Sequence, residues 1–115
     1  MHRDHRLYLD DILEAIARIR AYVQDMNEDA FRDDNKSQDA VIRNLEVIGE
    51  AARKLPANIR AAAPEIEWRK IIAFRNILTH EYFGINMPIV WDVTQNKLGA
   101  LEAACRRLAK EPDAT

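Results

Sequence analysis

A chain of 115 residues, 48% hydrophobic and 31% charged, has room for one domain and the mixture of a globular protein rather than a disordered one. With 17 basic against 19 acidic residues, the formal net charge of -2 excludes bulk attraction to nucleic acid but not a local basic cleft. No apolar run approaches the roughly 18 residues that span a membrane, and the opening MHRDHRLYLDDILEAI carries no signal-peptide h-region.

One cytoplasmic domain is therefore expected over residues 1–115, with frayed ends at about 1–5 and 111–115. Leu9, Ile12, Leu13, Ile16, Ile19, Val23 and Met26 recur at steps of three and four. They predict an amphipathic helix from about His5 to Met26, with Asp10, Asp11, Glu14, Arg18 and Arg20 largely on the other face. His2 and His5 flank Asp4 ahead of it, and two imidazoles on a chain end make a poor metal cage. Asn27 reads as the N-cap of a short turn, EDAFRD.

A second long helix is expected from about Ser37 to Leu55, burying Val41, Leu45, Ile48, Ala52 and Leu55 and stopped by Pro56. Gly49 inside it costs about 1 kcal/mol relative to alanine. That predicts a close approach by another helix, with a dimer partner as one source. Glu46 and Glu50, beside Arg43 and Arg53, read first as ion pairs along the helix worth a few tenths of a kcal/mol each. The sharper alternative is a glutamate that orients Arg75 or His80 on the neighbouring helix.

PANIRAAAPEIEW, bracketed by Pro56 and Pro64, is a connection with room for one helical turn. A third helix is expected to start near Glu65 and run through WRKIIAFRNIL, burying Trp68, Ile71, Ile72, Phe74 and Leu78. Gly84 and INMP mark a break, and Pro88 suits the first turn of a last helix, IVWDVTQNKLGALEAACRRLAKE. Its apolar positions are Val90, Val93, Leu98, Leu101, Cys105 and Leu108, and Glu111-Pro112 ends it.

The single Cys105 cannot form an internal disulfide and is placed for burial rather than reactivity. Trp68 and Trp91 read as core or interface aromatics. Arg106, Arg107 and Lys110 form a basic cluster that either steers RNA or, more plainly, solvates a helix end. The fold class is all-α, an up-and-down bundle of four main helices with one or two short helical turns.

The segment FRNILTHEYFG gathers Arg75, Asn76, His80 and Tyr82 within a few positions of an otherwise apolar helix end. Arg75 lies at the edge of the apolar stripe and cannot shed its charge, so it must reach solvent, a carboxylate or a cleft. His80, five residues on, falls roughly 140° around a helix from it. The two converge only if the helix ends between them, or if the site is a groove fed by more than one element, such as a dimer cleft.

If they do converge, an imidazole can take a proton from a hydroxyl or return one to a leaving oxygen. A guanidinium can bind a phosphate through paired hydrogen bonds and stabilise developing charge. Together they suit metal-free attack of an RNA 2′-OH on the adjacent phosphodiester. Asn76 offers a further donor, and Tyr82 either a ring for base stacking or a phenol open to modification. Spacing alone favours the plainer reading, a helix terminus whose cations complement its dipole.

RNILTHEY fits an R-x4-H-x-Y motif, and with it the chain resembles the HepT-like proteins, minimal HEPN-domain toxins paired with a nucleotidyltransferase antitoxin. IRNLEVIGEAARKL resembles the family's second long helix, PEIEWRKIIAFRNILTHEYFGIN its motif helix and turn, and VWDVTQNKLGAL its last helix. The resemblance runs from about Leu7 to Leu108. It implies a homodimeric HEPN bundle acting as an endoribonuclease on RNA without metal or other cofactor.

Arg75 and His80 would then be the catalytic pair, Asn76 a supporting residue, and Tyr82 the tyrosine to which the antitoxin attaches AMP. A rival reading is a non-catalytic dimeric module that only binds the nucleotidyltransferase. A third, a structural bundle with no nucleotide-related role, would make the whole resemblance accidental.

Overall fold

Apolar stripes on two long helices build the centre of the molecule. In the computed structural model, which describes residues 4–80 and 84–110, α1 (His5–Val23) buries Leu9, Ile12, Ala15, Ile16, Ile19 and Val23. α3 (Asn35–Lys54) lies against it and buries Val41, Leu45, Ile48 and Ala52. Leu55, just past its end, is buried too.

A single-turn helix, α2 (Glu28–Arg32), joins them, and Asn27 caps it by accepting from the Ala30 N–H at 2.8 Å. α1 stops three residues short of Met26 because Gln24 turns extended (ψ 132°) and Asp25 follows with a left-handed backbone, φ 65°, a conformation aspartate tolerates better than most residues.

After Leu55 the connection holds one short helix, α4 (Ala57–Ala61). α5 (Trp68–His80) begins three residues later than Glu65, since Ala63 to Glu67 forms a turn closed by Ile66 N–H to the Ala63 carbonyl. Trp68 is buried at the start of α5, its Nε1 donating to the carbonyls of Arg60 and Ala63 at 3.1 Å. Trp91 is half-buried and stacks at a tilt on Phe31, ring centroids 5.3 Å apart. Both tryptophans thus serve packing.

The expected last helix is in fact two, α6 (Met87–Asn96) and α7 (Leu98–Lys110), broken at Lys97. The break follows a run of weak helix formers, and the Thr94 hydroxyl donates back to the Trp91 carbonyl at 2.7 Å, a contact that bends helices. It redirects the chain: α6 packs on α2, and α7 on α1.

Seven helices and no strand are present among the described residues, so the architecture is the expected all-α bundle with one more break. His2, Tyr82, Glu111 and Pro112 lie outside the described residues. No helix among those described is long and apolar enough to cross a membrane.

Two local features carry predictions. The Asp34 carboxylate caps α3, accepting from the Ser37 hydroxyl at 2.8 Å and the Ser37 N–H at 3.2 Å. These bonds, the hydroxyl's foremost, hold its pKa below the ordinary value. A lowered folded value means the cap's contribution is complete above the usual aspartate range, about pH 4, and is lost as pH falls through the folded value. Asp34→Asn caps without titrating, so it should flatten the acid limb of a plot of Tm against pH. An unchanged limb would remove this cap from acid unfolding.

Cys105 is fully buried, and burial pushes its thiol up to about 12. It should resist alkylation in the folded protein at neutral pH and react once the chain is denatured.

Candidate active site around Arg75

α5 packs chiefly on α3, and Gly49 sets how closely. A Cβ at that position would collide with Arg75 Cβ, stand 2.9 Å from Arg75 Cγ and meet the Ile71 carbonyl at 3.4 Å. The close approach anticipated at Gly49 therefore comes from α5 of the same chain. The bare helix backbone at Gly49 receives the root of the Arg75 side chain, so the guanidinium must extend along the surface of α3.

There its Nη2 lies 3.5 Å from Glu50 Oε2, and its Nη1 donates to Asn76 Oδ1 at 3.3 Å. Arg75 is one-third exposed, 33%, and neither sealed in the core nor free in solvent.

Glu50 touches partners on both helices. Its Oε1 receives Arg53 Nη2 at 2.7 Å, an ion pair expected along α3, and lies 3.6 Å from Lys54 Nζ, a partner one turn on that was not expected. Its Oε2 faces Arg75 across the helix pair. The Arg53 hydrogen bond first, then the charges of Arg53, Arg75 and Lys54, hold this carboxyl below the usual carboxylate range, so it is ionised at neutral pH.

Arg43 and Glu46 make no ion pair with each other or with any other described residue. Together with Tyr8, Asp11, Lys54 and Arg75 they line an open cleft along α3. Tyr8, Asp11 and Lys54 were not anticipated there, because no local spacing on α1 or α3 announces which cleft a side chain borders.

His80 is the last described residue of α5 and is exposed. The helix does not end between Arg75 and His80, so the imidazole stays roughly 140° around the axis and about 7.5 Å along it. Within one chain the two are not brought together. Asn76, Ala73, Ile77 and His80 share the outer side of α5, all of them exposed, with Ile77 at 47%.

The burial of α5 differs from expectation as well. Of the five residues expected to be buried on α5, only Trp68 and Leu78 are; Ile71, Ile72 and Phe74 are half-buried.

The remaining candidates resolve simply. Arg106 pairs with Glu102 at 3.2 Å, and Arg107 with Glu65 at 2.7 Å, so the two arginines of the basic cluster are ion-paired, and Lys110 is exposed at the helix end. His5 Nδ1 lies 3.6 Å from Asp4 Oδ1, and no group of three metal-ligating side chains occurs among the described residues. Tyr82 lies outside them.

Residues 12–108 match the model of the family described as ribonuclease HepT-like. A Methanocaldococcus jannaschii protein provisionally named an RNase is 45% identical over 96 residues, 84% of this chain and 79% of its own. A Thermococcus cleftensis protein named a probable ribonuclease HepT is 37% identical over 110 residues, 96% of this chain and 100% of its own. A third relative, from Caldanaerobacter subterraneus subsp. tengcongensis and also provisionally named an RNase, is 31% identical over 106 residues, 92% of this chain and 95% of its own. No solved structure matches the chain.

Proposed function

Because the chain belongs to the HepT-like ribonuclease family, we propose that it is a metal-independent endoribonuclease with Arg75 and His80 as its catalytic pair and Asn76 in support. It works as a homodimer and as the toxin of a toxin–antitoxin pair. A cognate nucleotidyltransferase silences it by transferring AMP to Tyr82.

The observation that carries this reading is the division of α5. Arg75 sits on the side turned to α3 and its cleft, and His80 stands on an outer side that is exposed among the described residues. A second copy laid against that side would cover Ile77 and build a site that neither chain holds alone.

The chemistry needs no ion if the nucleophile is internal to the substrate. His80 takes the proton of an RNA 2′-OH, and the 2′ oxygen attacks the adjacent phosphorus as the bond to the 5′ oxygen breaks. The imidazolium so formed returns the proton to the leaving 5′ oxygen. The products are a 2′,3′-cyclic phosphate and a 5′-hydroxyl. Arg75 holds the phosphate oxygens and stabilises the charge that builds on them. An AMP on Tyr82, two residues beyond His80, would bring a tethered phosphate that competes for the same donors.

The test is incubation of a tRNA pool with the protein in EDTA, after intact mass has shown Tyr82 to be free of AMP. Fragments with cyclic phosphate ends are expected. Silence with Tyr82 free would favour the non-catalytic partner of a nucleotidyltransferase. Dimerisation has its own test. Burying Ile77 is worth about 1.5–3 kcal/mol per copy, so Ile77→Asp should raise the dimer dissociation constant at least about tenfold in sedimentation equilibrium. An unchanged constant would place the dimer contact elsewhere.

A further inference from the structure

We propose that Glu50 is a positioning residue for Arg75: from α3, its carboxylate fixes the direction of the guanidinium that receives the RNA phosphate. The inference rests on the nuclease reading above and adds to it a residue outside the motif. Three observations carry it.

First, the stem of Arg75 has little freedom. Its Cβ and Cγ lie on the backbone of α3 at Gly49, so the guanidinium can only swing along that helix, and the next residue it meets is Glu50. Secondly, the fork is held at both ends by different helices. Nη2 faces Glu50 Oε2 at 3.5 Å and Nη1 donates to Asn76 Oδ1 at 3.3 Å, which sets the plane as well as the direction of a group whose donors lie in a rigid fan.

Thirdly, the carboxylate is itself anchored. Arg53 reaches both its oxygens, Nη2 to Oε1 at 2.7 Å and Nε to Oε2 at 3.3 Å, and Lys54 Nζ lies 3.6 Å from Oε1. Glu50 therefore cannot simply follow Arg75 if the arginine moves.

The alternative role for such a contact is blockade, a carboxylate standing where the phosphate should go. The charges argue against it. One carboxylate faces three cations, Arg53, Lys54 and Arg75; with Arg43 set against Asp11 and Glu46, which also border the cleft, the neighbourhood still keeps one positive charge in excess and attracts an anion. At 3.5 Å the Arg75 contact is longer than a hydrogen bond, commonly 2.7–3.2 Å. It orients by charge and leaves the Nη2 donors available to a ligand.

The test compares the unmodified protein, Glu50→Gln, Glu50→Asp and His80→Ala on the same RNA in EDTA. A second readout is the Arg75 side-chain Nε–Hε signal in NMR, assigned by its loss in Arg75→Lys. Glu50→Gln should lower kcat roughly tenfold with KM within about twofold, since orientation is lost and the phosphate-binding charge is not. Its Arg75 signal should shift or broaden, and Glu50→Asp should recover part of kcat. If Glu50→Gln does not fold, Glu50→Asp carries the test, because it keeps the charge and shortens the reach.

Full kcat in Glu50→Gln, an Arg75 signal that does not move, or a loss confined to KM would each overturn the proposal while cleavage by the unmodified protein and silence of His80→Ala left the nuclease reading standing. An inert unmodified protein with free Tyr82, or full cleavage by His80→Ala, would instead sink the nuclease reading and this inference with it.

Discussion

Replacing His80 by alanine is expected to lower the rate of RNA cleavage in EDTA by about 10²–10⁴-fold, the range a positioned general acid–base group supplies. The fold should be untouched, because the side chain is exposed at the end of α5 and makes no hydrogen bond or ion pair among the described residues. A Tm within about 1 °C of the unmodified protein would therefore show that the loss is chemical, since exposed substitutions usually stay within about 0.5 kcal/mol.

Arg75→Lys sharpens the same test. Lysine keeps the charge but loses the planar fork, so a strong loss there would mean that paired hydrogen bonds to the phosphate matter and not charge alone. Cleavage by His80→Ala at the unmodified rate would remove His80 from the chemistry. The non-catalytic reading would then lead, with any residual nuclease traced to contamination.

The long helices were legible because their information is local. Stripes at three and four residue steps marked α1 and α3, Asn27 announced the cap of α2, and Pro56 the end of α3. The division between Arg75 and His80 also follows from local information, since five residues along any α-helix separate two side chains by roughly 140°. What failed depended on neighbours distant in the chain or on weak preferences. The break at Lys97 follows a hydrogen bond from Thr94 back to Trp91, and a helical stripe that continues in phase on both sides gives no warning of it.

The apolar residues of α5 read as core because apolarity does not say how fully a residue will be covered; half of that helix faces outward. Glu50 was undecidable for a related reason. Spacing shows a partner on its own helix, Arg53, and is silent on the one across the groove. Only the odd presence of Gly49 hinted that something came close there, without saying what.

Gly49→Ala should therefore behave against the rule for glycine in helices. Propensity alone would reward alanine by about 1 kcal/mol. The new Cβ, however, collides with Arg75 Cβ and stands 2.9 Å from Arg75 Cγ. These atoms are the root of the side chain and not its flexible tip, so α5 itself has to move away from α3. Overpacking of this kind costs about 1–3 kcal/mol, which leaves a net loss of roughly 0–2 kcal/mol against the propensity gain. Activity should suffer more than stability: Arg75 travels with α5, and a displacement of about 1 Å in a catalytic group can cost about 10²-fold in rate.

Gly99→Ala is the matched control. Gly99 lies in the first turn of α7, is exposed, and has nothing within 4 Å of an added Cβ. It should gain up to about 1 kcal/mol and keep full cleavage. The two variants share one chemical change and differ only in what the methyl group meets. If Gly49→Ala instead gained stability like Gly99→Ala and cleaved RNA at the unmodified rate, α5 could shift on α3 without consequence, and the seat that Gly49 and Glu50 provide for Arg75 would have no part in function.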